Sequence, residues 1–263
     1  MTNLSFEIQN VDGVVLETRT DSEQVNLVYR QAYGSGDSIV LRSSDVNVYL
    51  IIQLEDSMNP AFVYFTGEEY RYAIPFDEKR VSYSPKSFTG DKHVLSARLA
   101  TREEIEAYKN VALNPYDQHG NESCFPHASA NVETRGESVF AARNAINGNS
   151  ANDSHGEWPY ESWGINQRAD AAITVNFGRT VSIDKVVLTL RADFPHDNFW
   201  ERVTLTFSDG SSEQASLIQT HKPQTIAIQP KDVEWVTLSE LIKSSDPSPF
   251  PALSQFEVFG REA

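Results

Sequence analysis

The sequence predicts an all-β protein of two tandem β-sandwich domains with a short helix at their junction. Three observations lead there: apolar and polar residues alternate at period two along most of the chain, the alternating runs are short and bounded by turn signals, and one capped helix interrupts them near the middle. Leu4, Phe6 and Ile8 alternate with polar neighbours, as do Val46, Val48, Leu50, Ile52 and Leu54 for most of their run. Ile173, Val175 and Phe177, then Val186, Leu188 and Leu190, then Val203, Leu205 and Phe207 repeat the pattern. Successive side chains of an extended chain point to opposite sides, so each set lines one face of a strand. Turn signals at Gly34-Ser35-Gly36-Asp37, Phe88-Thr89-Gly90-Asp91 and Ser208-Asp209-Gly210 space the strands as in sandwiches or jelly rolls, without room for crossover helices.

The helix begins at Thr101-Arg102-Glu103-Glu104, a capping box in which the Thr101 hydroxyl accepts from the Glu104 amide and the Glu104 carboxylate reaches back. It is predicted to run to about Val111, ending before Asn114-Pro115 because the residue before proline disfavours helix. Asn114 to Pro126 is polar and turn-rich and reads as a linker, which divides the chain into residues 1–118 and 119–263. A second, shorter helix is expected over Phe140 to Ile146, closed by Gly148.

Composition excludes several classes. A hydrophobic fraction of 40% argues against disorder. No apolar run approaches the ~20 residues of a membrane span. The net charge of −15 is shared almost evenly, with 11 basic against 18 acidic residues up to Gln118 and 11 against 19 beyond it. An acidic surface without a basic stripe argues against nucleic acid, anionic membrane and polyanionic glycans. Cys124 stands alone, so no internal disulfide forms. With neither a basic start nor an apolar stretch at the N-terminus, a soluble cytoplasmic protein is expected, or an extracellular one if a leader has been removed.

The second half resembles the discoidin, or coagulation-factor type C, family of galactose-binding-like domains. The likeness begins at Ala128-Ser129-Ala130-Asn131 and Glu133-Thr134, and runs through Phe140-Ala141-Ala142-Arg143-Asn144-Ala145-Ile146-Asn147-Gly148. It continues in Trp158, Trp163, Ile173 to Gly178, Ile183 to Val186 and Phe207 to Gly210, and ends on Phe256-Glu257-Val258-Phe259-Gly260. The resemblance implies a jelly roll whose loops at one end form a ligand site; many members of the family bind galactose-type sugars, lectin-like, and others bind phospholipid head groups or proteins. Some sugar-binding members hold a structural calcium ion in this region, for which Asn147 and Asn149 (Asn152 and Asp153 nearby) and Glu257 are the candidate ligands here; Asn147 stands where the family has aspartate, and the alternative is an asparagine-rich turn with Glu257 bonded to backbone amides. No other cofactor is expected.

Two loops of this half carry the chemistry a sugar needs, namely fixed hydrogen-bonders beside flat rings. His155 to Trp163 offers Trp158, Tyr160 and Trp163, and Arg191 to Trp200 offers Arg191, Asp193, His196, Asp197 and Trp200, with Asn198 among them. The Pro-rich run Asp246 to Pro251 adds Phe250. These residues predict non-catalytic binding of a mono- or oligosaccharide. Neither HExxH nor GxSxG nor a phosphate-binding loop is present. A protein-interaction module and a glycoside-processing enzyme with an unselected carboxylate pair are the alternatives; oligomeric state stays open.

Overall fold

The computed structural model describes residues 1–263 and is all-β, with a few short helical turns. The first half contributes β1 (Asn3–Gln9), β2 (Val15–Ser22), β3 (Gln24–Tyr29), β4 (Ser38–Ser43), β5 (Val48–Gln53), β6 (Ala61–Phe65), β7 (Glu69–Ala73) and β8 (His93–Leu99). One sheet has the order β2-β1-β4-β7, and the facing sheet ends on β6-β5-β8-β3. The period-two residues face inward between them: Leu4, Phe6, Ile8, Leu50, Ile52 and Leu54 are all fully buried in one core. Burying each such side chain contributes roughly 1.5–3 kcal/mol relative to exposure, and this selects the register of each strand.

The helix starts as predicted but is shorter. Thr101 Oγ1 accepts from Glu104 N at 3.3 Å and Glu104 Oε2 from Thr101 N at 2.8 Å. The helix α1 (Arg102–Glu106) is then cut off, because Lys109 Nζ donates to the Glu104 and Ile105 carbonyls at 2.9 and 2.8 Å. The next residues leave the helix to form β9 (Lys109–Asn110), which pairs with the last strand of the chain.

The second half supplies β10 (Cys124–Phe125), β11 (His127–Ala130), β12 (Trp163–Gly164), β13 (Ile173–Leu190), β14 (Trp200–Phe207), β15 (Ser212–Ser216), β16 (Gln224–Lys243) and β17 (Ala252–Glu262). All but β10 join β9 in one eight-stranded antiparallel sheet along the path β12-β17-β13-β16-β14-β15, with β11 on β13. Register breaks between Asn176 and Val181 bend the long β13, so that it wraps a second core containing Ile173, Val175, Phe177, Val186, Leu188 and Leu190. The predicted second helix is a pair of 3-10 turns, Ser138–Phe140 and Ala142–Ile146.

Residues 114–126, read as a linker, are packed in place. Val111 and Ala112 belong to the second core, whereas Tyr116 and Cys124 belong to the first. β10 pairs with β6 of the first half, and β9 with β17 of the second. Asn114 and Asp117 are fully buried and turn their polarity inward: Asn114 Nδ2 donates to the Pro126 carbonyl at 2.9 Å, and Asp117 Oδ2 accepts from Ala128 N at 2.8 Å. Burial pushes the Cys124 thiol well above its ordinary value. No helix is long and apolar enough to cross a membrane.

Candidate functional site

Five segments meet at one end of the second half around a cleft of about 160 Å³. Arg191 emerges directly from β13, and its backbone N–H donates to the Ala252 carbonyl at 3.0 Å. Arg191 is 4% exposed as a residue, and its guanidinium grips Asp197 in a two-pronged bond, Nε at 2.8 Å and Nη2 at 2.6 Å. The same carboxylate accepts from Asp193 N at 3.0 Å, and His196 Nδ1 lies 3.0 Å from it. Of these two residues, both expected to meet a ligand, Asp197 is buried away from the cleft and Arg191 is part of its lining. Asp197 is the buried pin on which the loop winds, and Arg191 lends only part of its surface to the cleft.

Asp193 instead holds His155 Nδ1, which sets an imidazole at the cleft mouth. His155 stacks on His196 with ring centres 4.2 Å apart and planes 5° from parallel. His196 stacks in turn on Phe250 at 5.0 Å and 9°. The three rings form one flat pile along the cleft wall. Phe250 is 40% exposed, on the Pro-rich loop that Asn198 anchors by donating to the Asp246 and Ser248 carbonyls at 2.9 and 2.7 Å. Across the cleft lie Thr134, Arg135, Phe140, Asn166 and Gln167. Asn166 and Gln167 are both left-handed, with φ of 49° and 59°. Consecutive non-glycine residues in that region cost roughly 1–3 kcal/mol each and persist where the surroundings hold them, a strain that concentrates at binding sites.

The tryptophans separate sharply. Trp163 and Trp200 are fully buried, with ring centres 6.4 Å apart. Trp163 donates its indole N–H to the Val132 carbonyl at 2.9 Å. Both belong to the core, and neither offers a face to a sugar, contrary to expectation. Trp158 is 41% exposed, its backbone N–H donating to the Val81 carbonyl of the first half at 2.9 Å. Tyr160 is half-buried, and a hydrogen bond to Asp153 raises its hydroxyl pKa. Neither Trp158 nor Tyr160 lines the cleft itself. Sequence reasoning left His155, Arg135, Asn166 and Gln167 out of the site. Arg135-Gly136 and Asn166-Gln167 are weak turn signals that could have drawn attention to the last three.

The residues expected to hold calcium come together only in part. Asn147 and Asn149 both donate their side-chain N–H groups to Glu161 Oε1, at 2.8 and 3.0 Å. Glu161 is 2% exposed, and its second oxygen has no hydrogen-bond partner. Burial raises its pKa, against the lowering effect of the asparagine bonds. Asn152 spends its side chain on the Leu190 and His221 carbonyls. Glu257 makes no bond within this group; its pKa is raised by burial and lowered by Lys185. The β17 residue that reaches the asparagines is Gln255, two positions earlier, which donates to Asn147 Oδ1 at 3.0 Å. Calcium is held by several oxygens, preferably charged ones. Here the asparagine nitrogens face the one nearby carboxylate and an amide nitrogen faces their oxygens, so the set does not fit the ion.

No family model matches the sequence, and no curated protein matches it. Solved structures similar to this chain include chitosan-binding module 1 derived from a chitosanase/glucanase of Paenibacillus sp. IK-5, 20% identical over 57% of this chain and 98% of that one, with a TM-score of 0.37. The family 32 CBM from C. perfringens NanJ in complex with galactose is 19% identical over 50% of this chain and 91% of its own, with a TM-score of 0.37. A Streptococcus pneumoniae fucose binding module, SpX-3, is 15% identical over 58% and 98%, with a TM-score of 0.41.

Proposed function

We propose that this chain is a carbohydrate-binding protein of the discoidin, galactose-binding-like kind, and that its second half holds a mono- or oligosaccharide in the cleft without transforming it. One observation carries the reading: fixed polar groups stand beside a stack of three nearly parallel rings, within loops already pinned by buried hydrogen bonds. A sugar ring presents an apolar C–H face with hydroxyls at set angles, and such a cleft meets both with little ordering cost. The carboxylates at the cleft are spent on structure, Asp197 under Arg191 and Asp193 on His155, which favours binding over acid–base chemistry. Arg135 is likewise paired with Glu137, at Nε to Oε1 2.5 Å. With its guanidinium groups neutralised and an overall charge of −15, the protein is suited to neutral glycans more than sulfated ones.

A glycan array followed by calorimetry tests this. His155→Ala and Phe250→Ala each remove a cleft wall without unpairing a buried charge. Either change is expected to weaken binding by about ten- to a hundredfold, the equivalent of roughly 1.5–3 kcal/mol. Trp158→Ala is expected to weaken long oligosaccharides and leave single sugars unchanged. An array without a binding glycan, or wild-type affinity in both cleft variants, refutes the proposal.

A further inference from the structure

The loop after the Ala142–Ile146 turn is tied to β17 by one side chain. Gln255 is 4% exposed, and its Nε2 faces four oxygens: the Asn144 carbonyl at 2.9 Å, Asn147 Oδ1 at 3.0 Å, the Asn149 carbonyl at 2.9 Å and the Ser254 carbonyl at 2.5 Å. An amide nitrogen carries two hydrogens, so four acceptors are more than it can serve singly. A cage richer in acceptors than its donor has the composition of a hard-cation site.

Three further bonds fix which end of the amide points into the cage. Gln255 Oε1 accepts from Gly148 N at 3.0 Å. Turning the amide to offer oxygen to an ion would set Nε2 against that N–H group, donor against donor. On the far side, Asn147 Oδ1 accepts from Gln255 while Asn147 Nδ2 donates to Glu161 Oε1 at 2.8 Å, and Oδ1 also accepts from Asn149 N at 2.8 Å. Donors and acceptors thus follow one direction from the Gly148 amide through Gln255 and Asn147 to the Glu161 carboxylate. Each amide in such a run is oriented by the next, and reversing that of Gln255 sets donor against donor at Gly148 N and acceptor against acceptor at Asn147 Oδ1.

We infer that the Gln255 side-chain nitrogen takes, in this chain, the place in the oxygen cage that a divalent cation would fill, so that the loop is closed by a neutral hydrogen-bond run and folded stability is independent of calcium. Residue 255 decides the matter alone. A carboxylate there would still accept from Gly148 N with one oxygen and would bring the other, with its charge, to the four oxygens already present.

The test is thermal unfolding of the full chain in excess EDTA and in millimolar Ca²⁺, with calorimetric titration of Ca²⁺ alone. Wild type is expected to melt at one temperature in both and to show no calcium binding. Gln255→Glu is expected to melt lower in EDTA, to recover in Ca²⁺, and to bind the ion. If it is unfolded in EDTA, folding on addition of Ca²⁺ is the same result. Gln255→Met, which keeps the bulk and removes the donor, is expected to lose about 2–10 °C in Tm, unrelieved by Ca²⁺. Saturable calcium stabilisation of wild type overturns the inference, and so does a Gln255→Glu protein that Ca²⁺ neither binds nor stabilises.

Discussion

Replacing Arg191 by alanine is expected to damage the fold more than any sugar contact. The Arg191 and Asp197 side chains are only 5% and 0% exposed, and they are joined by two bonds of 2.8 and 2.6 Å. Removing the guanidinium strands the Asp197 charge with the Asp193 amide and His196 as its remaining partners. Breaking a buried pair from one side typically costs about 3–5 kcal/mol. For a chain of this size, where each kcal/mol moves Tm by about 2–4 °C, the melt should fall by about 6–20 °C. The double variant Arg191→Met with Asp197→Leu should recover most of that loss, because the penalty lies in the unpaired charge and not in the missing attraction. Circular-dichroism melts of the single and double variants decide the matter. If Arg191→Ala melts within about 2 °C of wild type, or the double variant melts as low as the single, Asp197 is not the pin described and Arg191 is a replaceable surface group. A fall in sugar affinity for Arg191→Ala is interpretable only after this melt, which is why His155 and Phe250 are the better probes of the cleft.

Two other outcomes are expected. Glu262 accepts from Arg179 at 2.7 and 2.8 Å and lies 3.4 Å from Lys109. Burial alone would raise its carboxyl, but the Arg179 bonds and the charges of Arg179 and Lys109 hold it below 4.5. Its stabilising contribution is therefore present above the ordinary carboxylate pKa and lost as pH falls through the lower folded value. Glu262→Ala should cost about 3–5 kcal/mol at neutral pH and flatten the acid limb of the stability profile; an unchanged limb would contradict the assignment. Gly260→Ala should destabilise strongly, because a Cβ there would sit 2.1 Å from the Ser182 carbonyl oxygen and force β13 and β17 apart; a melt within 1–2 °C of wild type (about 0.5 kcal/mol or less) would show that the strands yield easily.

The strands were legible in the sequence because burial and backbone period act on the same residues. Val203, Leu205 and Phe207 are all fully buried, as their alternation demands. The capping box was legible because it is local. The length of α1 was not, since Lys109 and Asn110 are drawn into pairing with Gly260 and Phe259, about 150 residues away, and a distant strand overrides local helix preference. Asn114, Asp117 and Asn121 are turn-forming types whether solvent or protein surrounds them, so their burial leaves no mark in composition. Trp158 and Trp163 share one loop in the sequence yet differ from 41% to 0% exposed, and Trp163 is drawn inward by pairing with Leu253 on β17. Each of the three loops singled out in the sequence contributes side chains to the cleft, in His155, in Arg191 and His196, and in Phe250. Which of their carboxylates serves structure and which serves the surface depended on contacts that spacing does not encode.

Those contacts extend to the first half, and this bears on why the cleft is stiff. The Arg143 guanidinium, fully within the protein, lies 4.2 Å from the centre of the Tyr83 ring and donates to the Asp117 carbonyl at 3.1 Å and to the Pro115 carbonyl at 3.4 Å. Ser138 Oγ donates to the Glu78 carbonyl at 2.6 Å, and Trp158 N to the Val81 carbonyl at 2.9 Å. The loop that carries His155 and the turn that carries Phe140 are thus each fastened to the Asp77–Ser82 segment of the first sheet pair. Loop ordering on binding costs roughly 0.5–1.5 kcal/mol per immobilised side chain, and a loop already held in the free protein avoids much of it. Because β9 and β10 are exchanged between the two sheet systems, the first half cannot move away without unpairing strands on both sides. What the first half holds directly is the loop that carries His155, through Trp158 N, and the turn that carries Phe140, through Ser138 Oγ.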